Sequence, residues 1–201
     1  KRVLTTAMTA WHANITIHPM RQIRIPTDNS HRVRRVLNDE WKRILETART
    51  LRNPLIADVI EFARETAMRR SEILALEAQH IDVEEQIVFL PDSKNCSQRS
   101  VALSQRATNI VIKYSNTGLL FPISASAVQQ AWQRILRKTG ITDLRFHDLR
   151  HEAISRFFEM GMTIAEVQNL SGHKDVRQLF NYTHMQASSI ASKYFKYNVK
   201  D

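Results

Sequence analysis

Six residues spread along the chain carry the side-chain chemistry needed to handle a phosphodiester: Arg69, Lys94, His147, Arg150, His173 and Tyr182. Two guanidinium groups can grip non-bridging oxygens, because the planar fork matches them bidentately. A lysine on a turn can donate a proton to a leaving oxygen, and histidines take or give protons near neutral pH. A tyrosine is a weak nucleophile at its free pKa of about 10, but a cationic pocket stabilises the phenolate and makes attack plausible. Together such groups suffice for phosphoryl transfer by positioning and charge neutralisation, without metal. Each has a blander reading alone: a packed tyrosine, a solvated arginine, or His147 and His151, four apart, bracing a helix end. The set carries the signal, not any one member.

These groups need elements to place them. From Arg145 to Met185 the pattern reads as three short helices, with Gly161 and Gly172 at their stops, where glycine accepts the left-handed conformation. Thr163 and Glu166 form a capping box that starts the middle one. Upstream, Asn38 is placed to cap a helix carrying Trp41, Ile44 and Leu45, and Asn53-Pro54 opens another through Ile56, Val59, Ile60 and Ala63. The stretch 65–70 breaks the period before Ser71, which is expected to cap a third helix over residues 71–78. Three short strands follow, at 81–83, 86–90 and 99–103, with a polar turn from Pro91 to Asn95 between the second and third. Helices are expected at about 104–115 and 125–138, the latter ending in Arg137-Lys138-Thr139-Gly140. The fold class is therefore α+β, mainly α-helical, with a small three-stranded antiparallel sheet.

The charge balance names a partner class. Lys and Arg number 29 against 20 Asp and Glu, a net +9 with pI near 10, which favours a polyanion, nucleic acid ahead of a membrane surface. Cys96 is the only cysteine, which leaves no internal disulfide and no cysteine-based metal site and fits a reducing compartment. No apolar run approaches ~18 residues and no signal-peptide pattern opens the chain, so a cytoplasmic protein is expected. Residues 1–14 put Val3, Leu4, Ala7, Met8 and Trp11 on one helical face. Residues 15–36 read as an extended basic linker whose Arg21, Arg24, Arg32, Arg34 and Arg35, with Arg145 further on, are candidates for the phosphate backbone of DNA.

Four motifs in order resemble those of the tyrosine recombinases, the phage integrase family, over roughly residues 37–185. Thr66–Leu74 is similar to the family's first-arginine segment, and Lys94 precedes Arg99-Ser100-Val101-Ala102-Leu103 as the family's lysine precedes its strand. His147-Asp148-Leu149-Arg150 looks like the H-x-x-R box, and Leu170-Ser171-Gly172-His173 with Tyr182 looks like the final histidine and nucleophile. The resemblance implies a DNA breaking-rejoining catalytic domain over 37–186. Residues 1–14 would be the remnant of an N-terminal core-binding domain, and 187–201 a C-terminal helical tail. It implies that Tyr182 forms a 3′-phosphotyrosine and that Arg69 and Arg150 hold the phosphate. His173 would add a hydrogen bond, Lys94 would protonate the leaving oxygen, and His147 would assist proton transfer at the tyrosine. Double-stranded DNA carrying recombination sites would be the substrate, a tetramer on DNA the working assembly, and no metal, ATP or other cofactor would be needed. The chain departs from the family pattern at Ala67, where glycine is usual, Ser171, where leucine is usual, and Leu179, where threonine is common.

Three other readings compete. A type IB topoisomerase uses similar residues to relax DNA, and a DNA-binding domain without catalysis would retain the charge alone. A metal-dependent hydrolase built on His147, His151 and Asp148 is disfavoured because Asp148 stands where zinc proteases carry glutamate.

Overall fold

In a computed structural model of the chain, residues 2–15, 34–91, 98–114 and 118–183 are described. The chain divides into two compact units between Arg32 and Val33. The described part of the first, residues 2–15, holds one helix, α1 (Arg2–Thr9). It stops before Trp11, which lies in a bend with His12 at positive φ beyond it, so the expected five-residue face is cut short.

The second unit follows the order α2 (Asn38–Arg49), α3 (Leu55–Thr66), α4 (Arg70–Leu74), β1 (Ile81–Asp82), β2 (Ile87–Leu90), β3 (Arg99–Ala102), α5 (Gln105–Tyr114), α6 (Ala125–Thr139), α7 (Asp148–Glu159) and α8 (Ile164–Ser171). Two 3₁₀ turns, Val176–Gln178 and Phe180–Tyr182, complete its described end. The fold class expected from the sequence is the one observed.

Helix α3 is the hub. It packs on α2, α5 and α7, and its apolar positions Ile56, Val59, Ile60, Phe62 and Ala63 are all buried. Spacings of three and four turn these residues inward on successive turns. Trp132 of α6 closes the main core, edge-to-face on Phe146 with ring centroids 5.6 Å apart. A second, smaller cluster joins Ala67, Ala153, Ile154, Phe157, Val167 and Leu179, and Tyr182 rests against it.

The sheet has the order β1-β2-β3, antiparallel throughout. Val88 pairs with Val101, and both are fully buried, so alternation sets the register. The same alternation turns Arg99 inward at the start of β3, where it is 8% exposed. β3 packs against α8, which carries that guanidinium toward the functional residues.

Several helix starts differ from expectation for one reason: a carboxylate three residues inside the helix caps it instead of a side chain at the boundary. Asn38 is the first helical residue of α2, and the Leu37 N–H donates to Glu40 at 3.0 Å. Ser71 likewise lies inside α4, which starts at Arg70 and ends at Leu74, short of residue 78; the Arg69 N–H donates to Glu72 at 2.8 Å. Both are the acidic half of a capping box, with the dipole's positive end as attraction. The Thr163–Glu166 box is formed in full.

The last residues of the expected linker, Arg34–Val36, are anchored to the second unit. Val36 is 4% exposed. The Arg35 Nε donates to the buried Glu152 at 2.8 Å and its Nη1 to Glu159 at 2.7 Å, and the Val36 N–H also donates to Glu152, at 3.1 Å. Arg34 donates to Glu40 at 2.9 Å. These carboxylates raise the pKa of both guanidiniums, side-chain hydrogen bonding being the main cause. The contacts observed for Arg34 and Arg35 are thus intramolecular. They give no support to the phosphate-binding role expected of these two residues.

Candidate active site

Three chain segments meet at one place: the α3–α4 junction, the start of α7, and the stretch from Gly172 to Tyr182. The junction turns sharply because Ala67 ends α3 in the left-handed conformation, φ 55° and ψ 14°. This is a position where glycine has no steric cost, which accounts for the family's usual residue there. The turn presents Arg69 at the N-terminal boundary of α4.

Arg150, in the first turn of α7, is the most buried of the expected site residues described, at 3% exposed. Its Nη1 donates to the Ala67 carbonyl at 2.7 Å, at the negative end of α3. Its Nη2 reaches the His173 ring, 3.3 Å from Nε2. Burial, then the nearby Arg69, push its pKa down to about 10. A guanidinium this poorly solvated, beside a second one, is an attractive seat for an anion.

Arg69 is oriented by Glu72 and by the main chain beside His173. Its Nη1 donates to Glu72 at 2.9 Å and its Nη2 to the Gly172 carbonyl at 3.2 Å. Glu72 also takes both terminal nitrogens of Arg99, at 3.2 and 2.9 Å. One carboxylate therefore braces the exposed-side arginine against a buried one. Glu72 and Arg99 lie inside the two motif segments without a role assigned by the sequence, where a glutamate three residues after Arg69 is the signal for this brace.

His173 is set by a chain of hydrogen bonds. Ser171 Oγ donates to the Val167 carbonyl at 2.6 Å, so it accepts from His173 Nδ1 at 2.7 Å, leaving Nε2 as the acceptor facing Arg150. The serine that departs from the family's usual leucine has this use. Burial, then Arg150 and Arg69, push the His173 pKa down to about 4. His147, at the α7 boundary, is lowered in the same direction, by desolvation of its inner side first and Arg150 second.

These two shifts give a pH prediction. A histidine whose folded pKa lies below its unfolded value of about 6.5 binds more protons when unfolded, so its neutral form is favoured by folding. Stability should be complete above about pH 6.5 and decline as pH falls toward 4, by about 1–3 kcal/mol for His173. Urea midpoints at pH 7 and pH 4.5 measure it, and His173→Asn should flatten the difference.

Gly172 ends α8 at φ +66°, and an added Cβ would lie 2.6 Å from Arg99 Cζ. Gly140 ends α6 at φ +67° with nothing within 4 Å of such a Cβ. Gly140→Ala should cost about 1–2 kcal/mol for the left-handed backbone alone. Gly172→Ala should cost at least about 1 kcal/mol more, because it also displaces a guanidinium held by Glu72. Paired urea unfolding curves separate the two parts.

Tyr182, half-buried on the second 3₁₀ turn, faces α7. Its hydroxyl is in hydrogen-bond contact with His151 Nδ1, and the two rings lie nearly parallel, 20° apart, with centroids at 5.7 Å. His147 stands edge-on to His151 at 4.9 Å. So the histidine touching the tyrosine is His151, not the expected His147; the two are one helical turn apart, and sequence spacing does not choose between them. Burial raises the Tyr182 pKa above 10 despite the opposing pull of Arg150. The cationic pocket expected to favour the phenolate is present, but in the free protein desolvation is the larger influence.

Arg69, His147, Arg150, His173 and Tyr182 are thus brought together. Lys94 and Arg21, Arg24 and Arg32 lie outside the described residues, as does the expected tail helix. Arg145 is exposed, its N–H donating to Asp148 at 2.7 Å. Among the described residues no group of three His, Cys, Asp or Glu side chains is arranged to hold a metal ion, and no helix is long and apolar enough to cross a membrane.

Comparison with known proteins places the chain in a family. Residues 34–189 match the phage integrase family, and the chain belongs to that family. It is 40% identical over 179 residues to the shufflon-specific DNA recombinase of Escherichia coli, covering 88% of this chain and 46% of that protein. It is 29% identical over 184 residues to the integrase of Salmonella phage P22, covering 81% of this chain and 46% of that one. The chain therefore spans about half the length of these relatives. Among solved structures it is similar in fold to the catalytic domain of bacteriophage HP1 integrase, with TM-score 0.65 and 21% identity over 79% of this chain and 91% of that one. It is also similar to the Tn1549 transposon integrase in complex with a circular intermediate DNA, with TM-score 0.72 and 16% identity over 98% of this chain and 76% of that one.

Proposed function

We propose that this chain is the catalytic part of a site-specific DNA recombinase that cuts and rejoins DNA through a 3′-phosphotyrosine on Tyr182. The observation that carries the reading is the convergence of Arg69, Arg150, His173 and Tyr182 from separate segments. Arg150 bonds the Ala67 carbonyl and the His173 ring, and Arg69 bonds the Gly172 carbonyl beside that histidine.

The scissile phosphate sits between Arg69 and Arg150, whose donors neutralise charge developing on the non-bridging oxygens. His173 turns from acceptor to donor: the incoming anion favours its imidazolium, which places a proton on Nε2 toward the phosphate. The Tyr182 oxygen attacks phosphorus, the bond to the 5′-oxygen breaks, and Lys94 gives that oxygen its proton. The bond energy is kept in the phosphotyrosine, so rejoining is attack by a 5′-hydroxyl and neither ATP nor metal is required. Duplex DNA with recombination sites is the substrate, the working assembly is a tetramer on that DNA, and the compartment is the cytoplasm. Arg145 contacts the phosphate backbone.

Strand exchange separates this reading from topoisomerase-like relaxation. Two duplexes of different length, one labelled, are incubated with the protein in chelator without ATP. Recombinant-length labelled product is expected. Relaxation of supercoiled DNA with no exchanged product would favour the topoisomerase reading instead.

A further inference from the structure

We infer that His151 is a catalytic residue of this site, the group that accepts the phenolic proton of Tyr182 as the tyrosine attacks phosphorus. The inference rests on the transesterification reading above and adds the destination of one proton.

A tyrosine that is protonated at rest must lose its proton during attack, and the acceptor must lie within hydrogen-bond reach. His151 Nδ1 is in that position on the Tyr182 hydroxyl. In the tautomer that carries its proton on Nε2, the His151 Nδ1 lone pair accepts from the Tyr182 hydroxyl, and this is the tautomer the proposal requires. His147 stands edge-on to the His151 ring, with centroids 4.9 Å apart.

The contact is not needed to hold the turn. The Tyr182 N–H donates to the Leu179 carbonyl at 3.0 Å, the Thr183 hydroxyl donates to the Phe180 carbonyl at 2.8 Å, and Leu179 is fully buried in the small core. These interactions hold the main chain at Tyr182 without using His151. The polar contact then falls on the one atom that reacts.

The proton balance is complete. The P–O bond to Tyr182 forms, the phenolic proton passes to His151, the P–O5′ bond breaks, and the 5′-oxygen takes its proton from Lys94. On rejoining, His151 returns its proton to the departing phenolate. Among the described residues, the titratable and charged groups around His151 and the Tyr182 hydroxyl include His147, Asp148 and Arg150 at the start of the same helix, and Tyr182 and His173 from the segments packed against it.

The test measures single-turnover adduct formation on a pool of nicked duplexes of randomised sequence, as a function of pH. The full chain is used as wild type, His151→Gln, and His151→Ala with and without added imidazole. Loss of a general base costs on the order of 10²-fold in rate, so His151→Gln should fall by about that much. It should also reduce the proton dependence on the acid side of the profile by one. Imidazole should restore part of the His151→Ala rate, which loss of packing alone would not allow. Three outcomes would overturn the proposal. A His151→Gln rate and profile equal to wild type would make the contact incidental. A faster rate would make His151 a restraint on the tyrosine. No adduct from wild type, despite DNA binding, would remove the transesterase reading and the proposal with it.

Discussion

Replacing Arg150 with methionine should lower DNA cleavage by about 10²–10³-fold while changing stability by less than about 1 kcal/mol. The two expectations come from the same contacts. Arg150 is 3% exposed, and its lowered pKa means that burial beside Arg69 disfavours its charge. Removing it relieves that cost, and methionine fills a similar volume. Against this, the Ala67 carbonyl loses its donor, which costs about 1–3 kcal/mol for a buried acceptor left unsatisfied. The two effects offset. On the proposed reading the scissile phosphate, in contrast, loses a preorganised guanidinium, and a single such donor is worth on the order of 10²–10³-fold in rate. Adduct yield and urea unfolding on the same sample measure both. A variant that is strongly destabilised and cleaves normally would reverse the assignment.

Glu72→Gln should be the most destabilising change at the site, by about 3–5 kcal/mol. Its carboxylate accepts from both terminal nitrogens of Arg99 and from the main-chain N–H and Nη1 of Arg69, and the Arg99 side chain is only 5% exposed. Glutamine keeps the shape and removes the charge, leaving the buried Arg99 without its counter-ion. Arg99→Met in the same background should recover much of the loss, because the uncompensated cation is then gone. Cleavage should fall with Glu72→Gln and stay low in the double variant, since Arg69 has still lost its brace. Two effects that rise and fall together would show Glu72 to be purely structural.

The parts of the fold governed by local periodicity were readable in the sequence. Alternating residues around Val88 and Val101 placed three strands within a residue or two of their observed limits, and Gly140, Gly161 and Gly172 marked helix ends that the structure shows at positive φ. Helix starts were less legible, because the caps at Leu37 and Arg69 come from carboxylates inside the helix. What distance along the chain conceals was not legible at all. Arg35 meets Glu152 across 117 residues, and no pattern near Arg35 distinguishes an anchored arginine from one on a linker. At the site, residue types and order pointed to the arginines, His173 and Tyr182. They could not choose between His147 and His151 as the neighbour of the tyrosine. Nor could they weigh burial against the Arg150 charge at its hydroxyl, because both are properties of packing.

The most direct measurement is the chemical identity of the bond between protein and DNA. The protein and its Tyr182→Phe variant are incubated with nicked duplexes of randomised sequence in chelator without ATP, denatured, and digested with protease and nuclease. Mass spectrometry of the wild-type sample should find the peptide containing Tyr182 carrying a nucleotide through its 3′-phosphate, and the variant should yield no adduct. A nucleotide on any other residue, or an adduct that persists in the variant, would contradict the assignment of Tyr182 as nucleophile.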